Sequence, residues 1–411
     1  MSKTVALLIT LDTKDEEAGF LVDQIEAQGH KALLMDIGVI GEAGIKASLS
    51  REDIIAAAGG SLAKLLEHPT REESNPFVVQ GCIKLLSKLI ADEKVQAVIG
   101  LGGTQGTSTC CDIMQALPYG FPKIMVSTIA SGDTSGFVGI KDITMMFSVS
   151  DILKLNPFTR KILANAAAAA CGMAEVETKF AMGRGDKPLI GMSNLGVLTK
   201  GSMEAIKYFE AAGYEVIVFH AVGSGGRAME QMMKEGIIGA VFDYAMGEIA
   251  DDVWSVLRAG GPERLTVAGK LGLPQVLCPG GAEHLGILVS PNVVPDAYKN
   301  HQYVFHSPVV FVPRLNVEEI QRVADDICKR LQHTTDKAYF MIPQKGVGRY
   351  SIPTGVLYDP ESDAAFFKRL KDNLPDNIIV VERDTHAEDS AFVKEAVDLL
   401  ISLIEERAAT E

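Results

Sequence analysis

Ten residues, Val98 to Thr107 (VIGLGGTQGT), restrict what this chain can fold into more than any other stretch. Val95, Ala97, Val98 and Ile99 make an apolar run of strand length, and four glycines, Gly100, Gly102, Gly103 and Gly106, follow at once. Glycine tolerates positive φ and lets backbone approach a ligand closely, so the run reads as a buried strand turning sharply into a helix. Thr107 and Ser108 are expected as the N-cap hydroxyls of that helix. Its free N–H groups and positive dipole end suit a phosphate, although the same glycines also serve a tight turn that binds nothing.

Around this stretch apolar strands alternate with helices, which argues for parallel sheets. Thr4 to Thr10 reads as the first strand, Glu16 to Gln28 as a helix closed by Gly29, and Lys31 to Ile37 as the second strand. Gly38 to Ser50 is rich in glycine and small residues and is expected to loop over the ligand face. A helix over Val78 to Ala91 leads into the glycine stretch, and a strand over Pro122 to Thr128, a turn over Ala130 to Gly136 and a strand near Thr144 to Ser148 follow it. The Ala-rich helix Asn156 to Met173 closes the first half, and Met182 to Lys187 (MGRGDK) reads as an exposed linker. The second half restarts with strands at Pro188 to Met192, Glu215 to Phe219, Ile238 to Phe242 and Gln275 to Cys278, and with a helix over Pro262 to Lys270. Within it Val218 to Arg227 (VFHAVGSGGR) repeats the strand, glycine turn and helix about 120 residues later. The expected architecture is two Rossmann-like α/β domains with mainly parallel sheets, residues 1–183 and 184–411, and a cleft between them.

Composition narrows the function classes. At 411 residues, 47% hydrophobic and 22% charged, the chain can bury substantial cores. No run approaches the roughly 20 apolar residues of a membrane span, and Met1 to Thr4 enters a strand without a signal-peptide pattern, so a cytoplasmic location is expected. Lys plus Arg number 39 against 53 Asp plus Glu, a formal charge of −14 that disfavours nucleic acid and anionic membrane as partners. The six cysteines show neither CxxC pairs nor disulfide-framework spacing and read as reduced core thiols.

Several residue sets could carry chemistry. The glycine stretch lacks the lysine of a P-loop, and Ser127-Thr128 stands where a dinucleotide site has an acidic residue ending the next strand. Asp36, at the end of the second strand, offers an acceptor to a nucleotide ribose. Asp12, Thr13 and Lys14 follow the first strand at the edge where parallel sheets bind ligands: Lys14 as a point charge for phosphate, Thr13 as a donor, Asp12 as an acceptor for ribose or Mg²⁺-bound water. The same acidic run also suits a solvated helix start. Asp133 could hold Mg²⁺ or make an Asx turn. In the second half, Gly223 to Arg227 offers N–H groups and a guanidinium to an anion, and Glu248, Asp251 and Asp252 closely follow a strand. Cys278, Glu283 and His284 place a thiol, a carboxylate and an imidazole near another strand end, with Cys278 also readable as the last apolar residue of a buried strand. His301 and His306 lack metal-ligand spacing, and no metal site of protein ligands alone is expected.

As a set, Asp12–Lys14, Gly100–Thr107, Ser127–Thr134, Phe219–Glu230 and Gly261–Leu265, with Val381–His386 and Asp389–Phe392 near the C-terminus, resemble the family of the tomato mosaic virus resistance protein over essentially the full chain. The resemblance implies a two-domain α/β protein with ATP in the first half, and Mg²⁺ is an expected companion of the nucleotide. The matching positions are Asp12, Thr13, Lys14 and the turn Gly103, Thr104, Gln105 and Gly106, with Gly102, Thr107 and Gln80 beside them. The family carries Arg where this chain has Gln80, Ser-Gly-Gly where it has Thr104-Gln105-Gly106, and Asn where it has Ser307. Three readings follow: an ATP-binding protein, a lyase or hydrolase acting on a small phosphorylated or carboxylated metabolite at the second-domain loops, and a non-catalytic nucleotide-sensing partner. Nucleotide and a small anionic metabolite are the expected ligands, in a homodimer or higher homo-oligomer.

Overall fold

A computed structural model describes residues 2–68, 70–177 and 185–410. The chain divides into two compact units, Met1–Phe180 and Ala181–Glu411. The linker read at Met182 to Lys187 is described only from Gly185 onward; its first three residues, and with them the expected boundary at 183/184, lie outside the described residues.

The first unit holds strands β1 (Thr4–Ile9), β2 (Lys31–Asp36), β3 (Ala97–Gly102), β4 (Lys123–Ser127) and β5 (Thr144–Phe147). All pair in parallel, in the order β2-β1-β3-β4-β5. The near-continuous apolar reading of β1 and β3 has its reason here, since both faces of a parallel sheet are covered. Val5, Leu7 and Ile9 pack with Leu21, Ile25 and Leu163 from the helices Asp15–Ala27 and Pro157–Glu175. Ala6 and Leu8 face the other way, toward Ile54, Val78, Cys82 and Ile113. The helix expected from Val78 starts two turns sooner and spans Arg71–Ala91, with Thr70 accepting the N–H of Glu73 as its cap. Pro76 misleads a pattern reading: the helix runs through it, at the loss of the one bond its N–H would have made to the carbonyl of Glu72. Gly81 lets this helix touch its neighbour: a Cβ there would stand 1.9 Å from the carbonyl oxygen of Ile54.

The second unit holds β6 (Ile190–Asn194), β7 (Val216–His220), β8 (Ala240–Ala245), β9 (Gln275–Gly280), β10 (Ile287–Leu288), β11 (Tyr303–Ser307), β12 (Val310–Pro313), β13 (Ala338–Pro343) and β14 (Ile378–Arg383). Six of these form a parallel sheet in the order β14-β13-β9-β8-β6-β7. The short strands β10, β12 and β11 make a separate antiparallel sheet. The helix expected over Pro262 to Lys270 contracts to Val267–Lys270, because Leu265 takes a left-handed backbone (φ 71°) and Arg264 turns its side chain into the interior.

All six cysteines are buried with free thiols. No helix among the described residues is long and apolar enough to cross a membrane.

Candidate functional site

In the first sheet β2 and β3 flank β1 on opposite sides, so the connections out of β1 and β3 diverge and leave a crevice at their carboxyl ends. This is where open α/β sheets take ligands. The helix that enters it spans Thr104–Gln115 and begins three residues before the expected caps. Gly103 is its N-cap, with no side-chain cap, and the first intrahelical bond runs from the N–H of Thr107 to the carbonyl of Gly103 at 2.8 Å. The N–H groups of Thr104, Gln105 and Gly106 therefore remain for water or a ligand. Thr107 caps nothing; it is buried, and its hydroxyl lies 2.7 Å from that of Ser127, tying the ends of β3 and β4 together.

The four glycines serve space rather than positive φ, which none of them has. A Cβ on Gly100 would stand 2.8 Å from Cβ of Cys110, and one on Gly102 would stand 2.7 Å from Cα of Gly106. These two let the helix close onto the strand. Above Gly103 and Gly106 the nearest atoms are 3.7 Å and 3.5 Å away, so the turn is open there.

Beside the turn lies a cavity of about 160 Å³. Thr10 and Asp12 line it from the end of β1, Arg71 and Ser74 from the capped helix start, and Gly106 and Thr109 from the glycine turn. Asn75 is fixed at its edge by the Thr109 hydroxyl, which donates to Oδ1 at 2.7 Å. Arg71 is exposed and its guanidinium has no partner among the described residues. Sequence reading missed it because the turns before Pro76 were not assigned to the helix, where Arg71, Ser74 and Val78 share one face.

The other expected residues separate. Asp12 faces the cavity, and Thr13 is exposed with its hydroxyl 3.2 Å from that of Thr10. Lys14 is turned away, donating from Nζ to the carbonyl of Ile152 at 2.5 Å. Gln80 is exposed and lies off the helix face that lines the cavity, while Thr104 and Gln105 are exposed at the helix start outside its wall. Asp36 offers nothing to a ribose. Its Oδ1 accepts the N–H groups of Leu11 and Gly38, and its Oδ2 takes a two-pronged bond from Arg51 at 2.8 and 2.6 Å. Asp133 makes an Asx turn, accepting the N–H of Ser135 at 2.9 Å.

In the second unit the glycine turn is filled from within. Oε1 of Glu248 accepts the N–H groups of Gly223 at 2.6 Å and Gly226 at 3.0 Å, and Oε2 accepts Nε of Arg264 at 2.7 Å. A Cβ on Gly226 would stand 2.0 Å from that Oε2. The seat expected for an external anion thus holds the chain's own carboxylate. Arg264, with 0% of its surface exposed, also pairs with both oxygens of Asp243. Glu230 completes the cluster, 3.4 Å from Nη1 of Arg264 and accepting the N–H groups of Leu265 and Val267. Burial, outweighing Arg264, lifts the Glu230 carboxyl to about 7. Asp251 is likewise internal, chelating Arg258 through both oxygens at 2.9 and 2.8 Å.

Cys278 is fully buried inside β9, and burial pushes its thiol far up, which removes it as a nucleophile. Glu283 and His284 are brought together. Nδ1 of His284 lies 3.2 Å from Oε1 of Glu283, an ion-pair distance without hydrogen-bond alignment, and neither oxygen of this wholly buried carboxylate accepts a hydrogen bond. Burial works to raise the Glu283 carboxyl, but His284 and the guanidinium of Arg314 outweigh it and bring it to about 2.

The fold and the turns at its switch points define a protein of two doubly wound parallel α/β units. The chain belongs to the Uncharacterised protein family (UPF0261): that family's N-terminal domain matches residues 3–179 and its C-terminal domain residues 187–404. It is 37% identical over 407 residues to a UPF0261 protein of Clostridium tetani, covering 98% of this chain and 100% of that one. A UPF0261 protein of Mesorhizobium japonicum is 33% identical, with 95% and 97% covered. The ToMV resistance protein Tm-1(GCR237) of Solanum lycopersicum is 30% identical over 318 residues, which are 76% of this chain and 42% of that protein. Among solved structures, a putative UDP-N-acetylglucosamine 2-epimerase from Listeria monocytogenes is 12% identical, with 67% of this chain and 79% of that one covered and a TM-score of 0.24.

Proposed function

We propose that the first unit is an ATP-binding module, with the triphosphate on the N–H groups of Thr104, Gln105 and Gly106 and on the guanidinium of Arg71. The observation that carries this reading is the meeting, at the switch point of the first sheet, of an unpaired arginine and Gly106 on one cavity, with the uncapped helix start of Thr104 and Gln105 at its edge. That donor set fits a phosphate. Asp12 would repel a bare phosphate and would hold Mg²⁺ through water, which lets the carboxylate and the anion share the site. Lys14, Gln80 and Thr107 take no part in this version of the site, and Gly102 contributes only the close turn.

The test is isothermal titration of the full chain with Mg-ATP. Saturable binding is expected, and Arg71→Ala should weaken it about tenfold or more, in keeping with the roughly 1.5–3 kcal/mol of a hydrogen bond to a charged group. No heat at millimolar ATP, or an affinity indifferent to Arg71→Ala, would sink the proposal. Asp12, the carboxylate of the cavity wall, is engaged by the Mg²⁺ in this version of the site, so the proposal is for binding and not for hydrolysis.

A further inference from the structure

A second cavity, of about 310 Å³, lies wholly within the second unit, at the carboxyl ends of its strands, in the size range of small-molecule sites. Leu195 and Val197 follow β6, His220 ends β7, His284 follows β9, and Arg349 and Tyr350 follow β13. Elements distant in sequence thus turn three imidazoles (His220, His284 and His306), two guanidiniums (Arg258 and Arg349) and a phenol onto one largely apolar pocket.

The charges in and behind this wall can be paired off. Arg258 is held by Asp251, and Arg314, behind the wall, donates to Asp363 at 2.7 Å. What remains is Arg349, exposed and without an acidic partner among the described residues, and the buried Glu283. Glu283 sits under the floor, where a Cβ on Gly348 would be 3.6 Å from its Oε1. Its two oxygens and Nδ1 of His284 are left without hydrogen bonds, as are Nε and Nη1 of Arg314. A buried carboxylate in this condition is costly unless something turns toward it. An imidazole 3.2 Å away is placed to do so with its Nδ1–H, and such bonds commonly tighten only when the ligand is present. Nη1 of Arg258 donates to Nε2 of His284 at 3.4 Å, and the ring packs in a T-shaped pair with Tyr350, whose hydroxyl is 3.4 Å from Nδ1 of His306.

We propose that this cavity is a binding site for a small monocarboxylate, in which Arg349 takes the carboxylate and the apolar wall of Leu195, Val197, Val310 and Val312 takes the remainder. As the ligand seats, the imidazole of His284 closes its Nδ1–H onto Glu283 while Arg258 holds Nε2. A single unpaired guanidinium matches a single negative charge, which favours a carboxylate over a phosphate dianion. Glu283 is a positioning residue that sets the ring of His284 in the cavity wall.

The probe is lactate, with inorganic phosphate as the second arm, titrated into the full chain while the histidine Cε1–H signals are followed by NMR. Saturable movement of the His284 signal with lactate is expected, weakened about tenfold in Arg349→Gln, an exposed position whose change leaves the fold intact. Glu283→Gln should displace the Cε1–H signal of His284 in the lactate complex while leaving that of exposed His220 in place, a spectroscopic signature that a merely structural role would not move. If Glu283→Gln does not fold, the Arg349→Gln arm decides alone. Saturation by phosphate but not by lactate, a His284 signal indifferent to both, or equal affinity in Arg349→Gln overturns the proposal. Loss of ATP binding by the first unit leaves it untouched.

Discussion

Replacing Glu248 by Ala tests the claim that the second unit carries its own anion. The change removes one charged bond to Arg264 and the acceptor for two buried N–H groups, those of Gly223 and Gly226. Breaking a buried pair typically costs about 3–5 kcal/mol, and each abandoned N–H about 1–3 kcal/mol more. Two facts pull toward the lower end: Arg264 keeps Asp243 and Glu230, and water can enter the vacated seat. A loss of about 4 kcal/mol is the working figure, against the 5–15 kcal/mol typical of a folded protein. Trp254, the single tryptophan of the chain, ends the very helix that carries Glu248, with the guanidinium of Arg322 over its ring at 4.7 Å. Urea unfolding followed by tryptophan fluorescence therefore reports this unit. Added formate, which has the size and charge of the lost group, should raise the midpoint of the variant more than that of the parent. A variant within about 1 kcal/mol of the parent, where typical surface substitutions fall, would show that the glycine turn does not need an anion at all.

Two further outcomes can be checked on the same material. His284 and Arg314 hold the Glu283 carboxyl at about 2 in the folded protein against an ordinary 4.5, so the stability it contributes is present above pH 4.5 and lost as pH falls toward 2. Asp363 has the opposite sign: burial, against the pull of Arg314, raises it from 3.8 to about 6, so its stabilisation is full below pH 3.8 and lost as pH rises through 6. Stability of the second unit should accordingly lose its acid limb in Glu283→Gln and its loss between pH 4 and 6 in Asp363→Asn; unchanged urea midpoints across pH would refute both. In the first unit, Gly81→Ala drives a Cβ to 1.9 Å from the Ile54 carbonyl and should cost about 1–3 kcal/mol by thermal unfolding; an unaltered melting temperature would mean the two helices separate freely.

The strand, glycine turn and helix at Val98 to Thr107 were legible because apolar run, glycine spacing and helix start are all local. The alternation of strands and helices was legible for the same reason, and it is enough to define two parallel α/β units. What local patterns do not hold is which partner a polar group finds. The Gly223 to Gly226 seat looked vacant because its occupant stands 22 to 25 residues further on, at Glu248. Asp36 looked available because Arg51 comes back to it across a loop. Arg71 was hidden by Pro76, which suggests a helix break although the helix runs through it. Arg349 and His220 approach His284 only through tertiary folding, so nothing in their spacing marks them as neighbours.

The buried thiols give the molecule a built-in clock. Cys82, Cys110, Cys111 and Cys171 lie in the first unit and Cys278 and Cys328 in the second, all shielded from solvent. A sulfhydryl reagent can reach them only when the surrounding structure opens, because only an exposed thiolate reacts. The alkylation rate at each position therefore counts opening events of the unit that contains it. Mass spectrometry of the six sites separates the two halves of one chain without cutting it, and a ligand held by either half would slow that half's count alone.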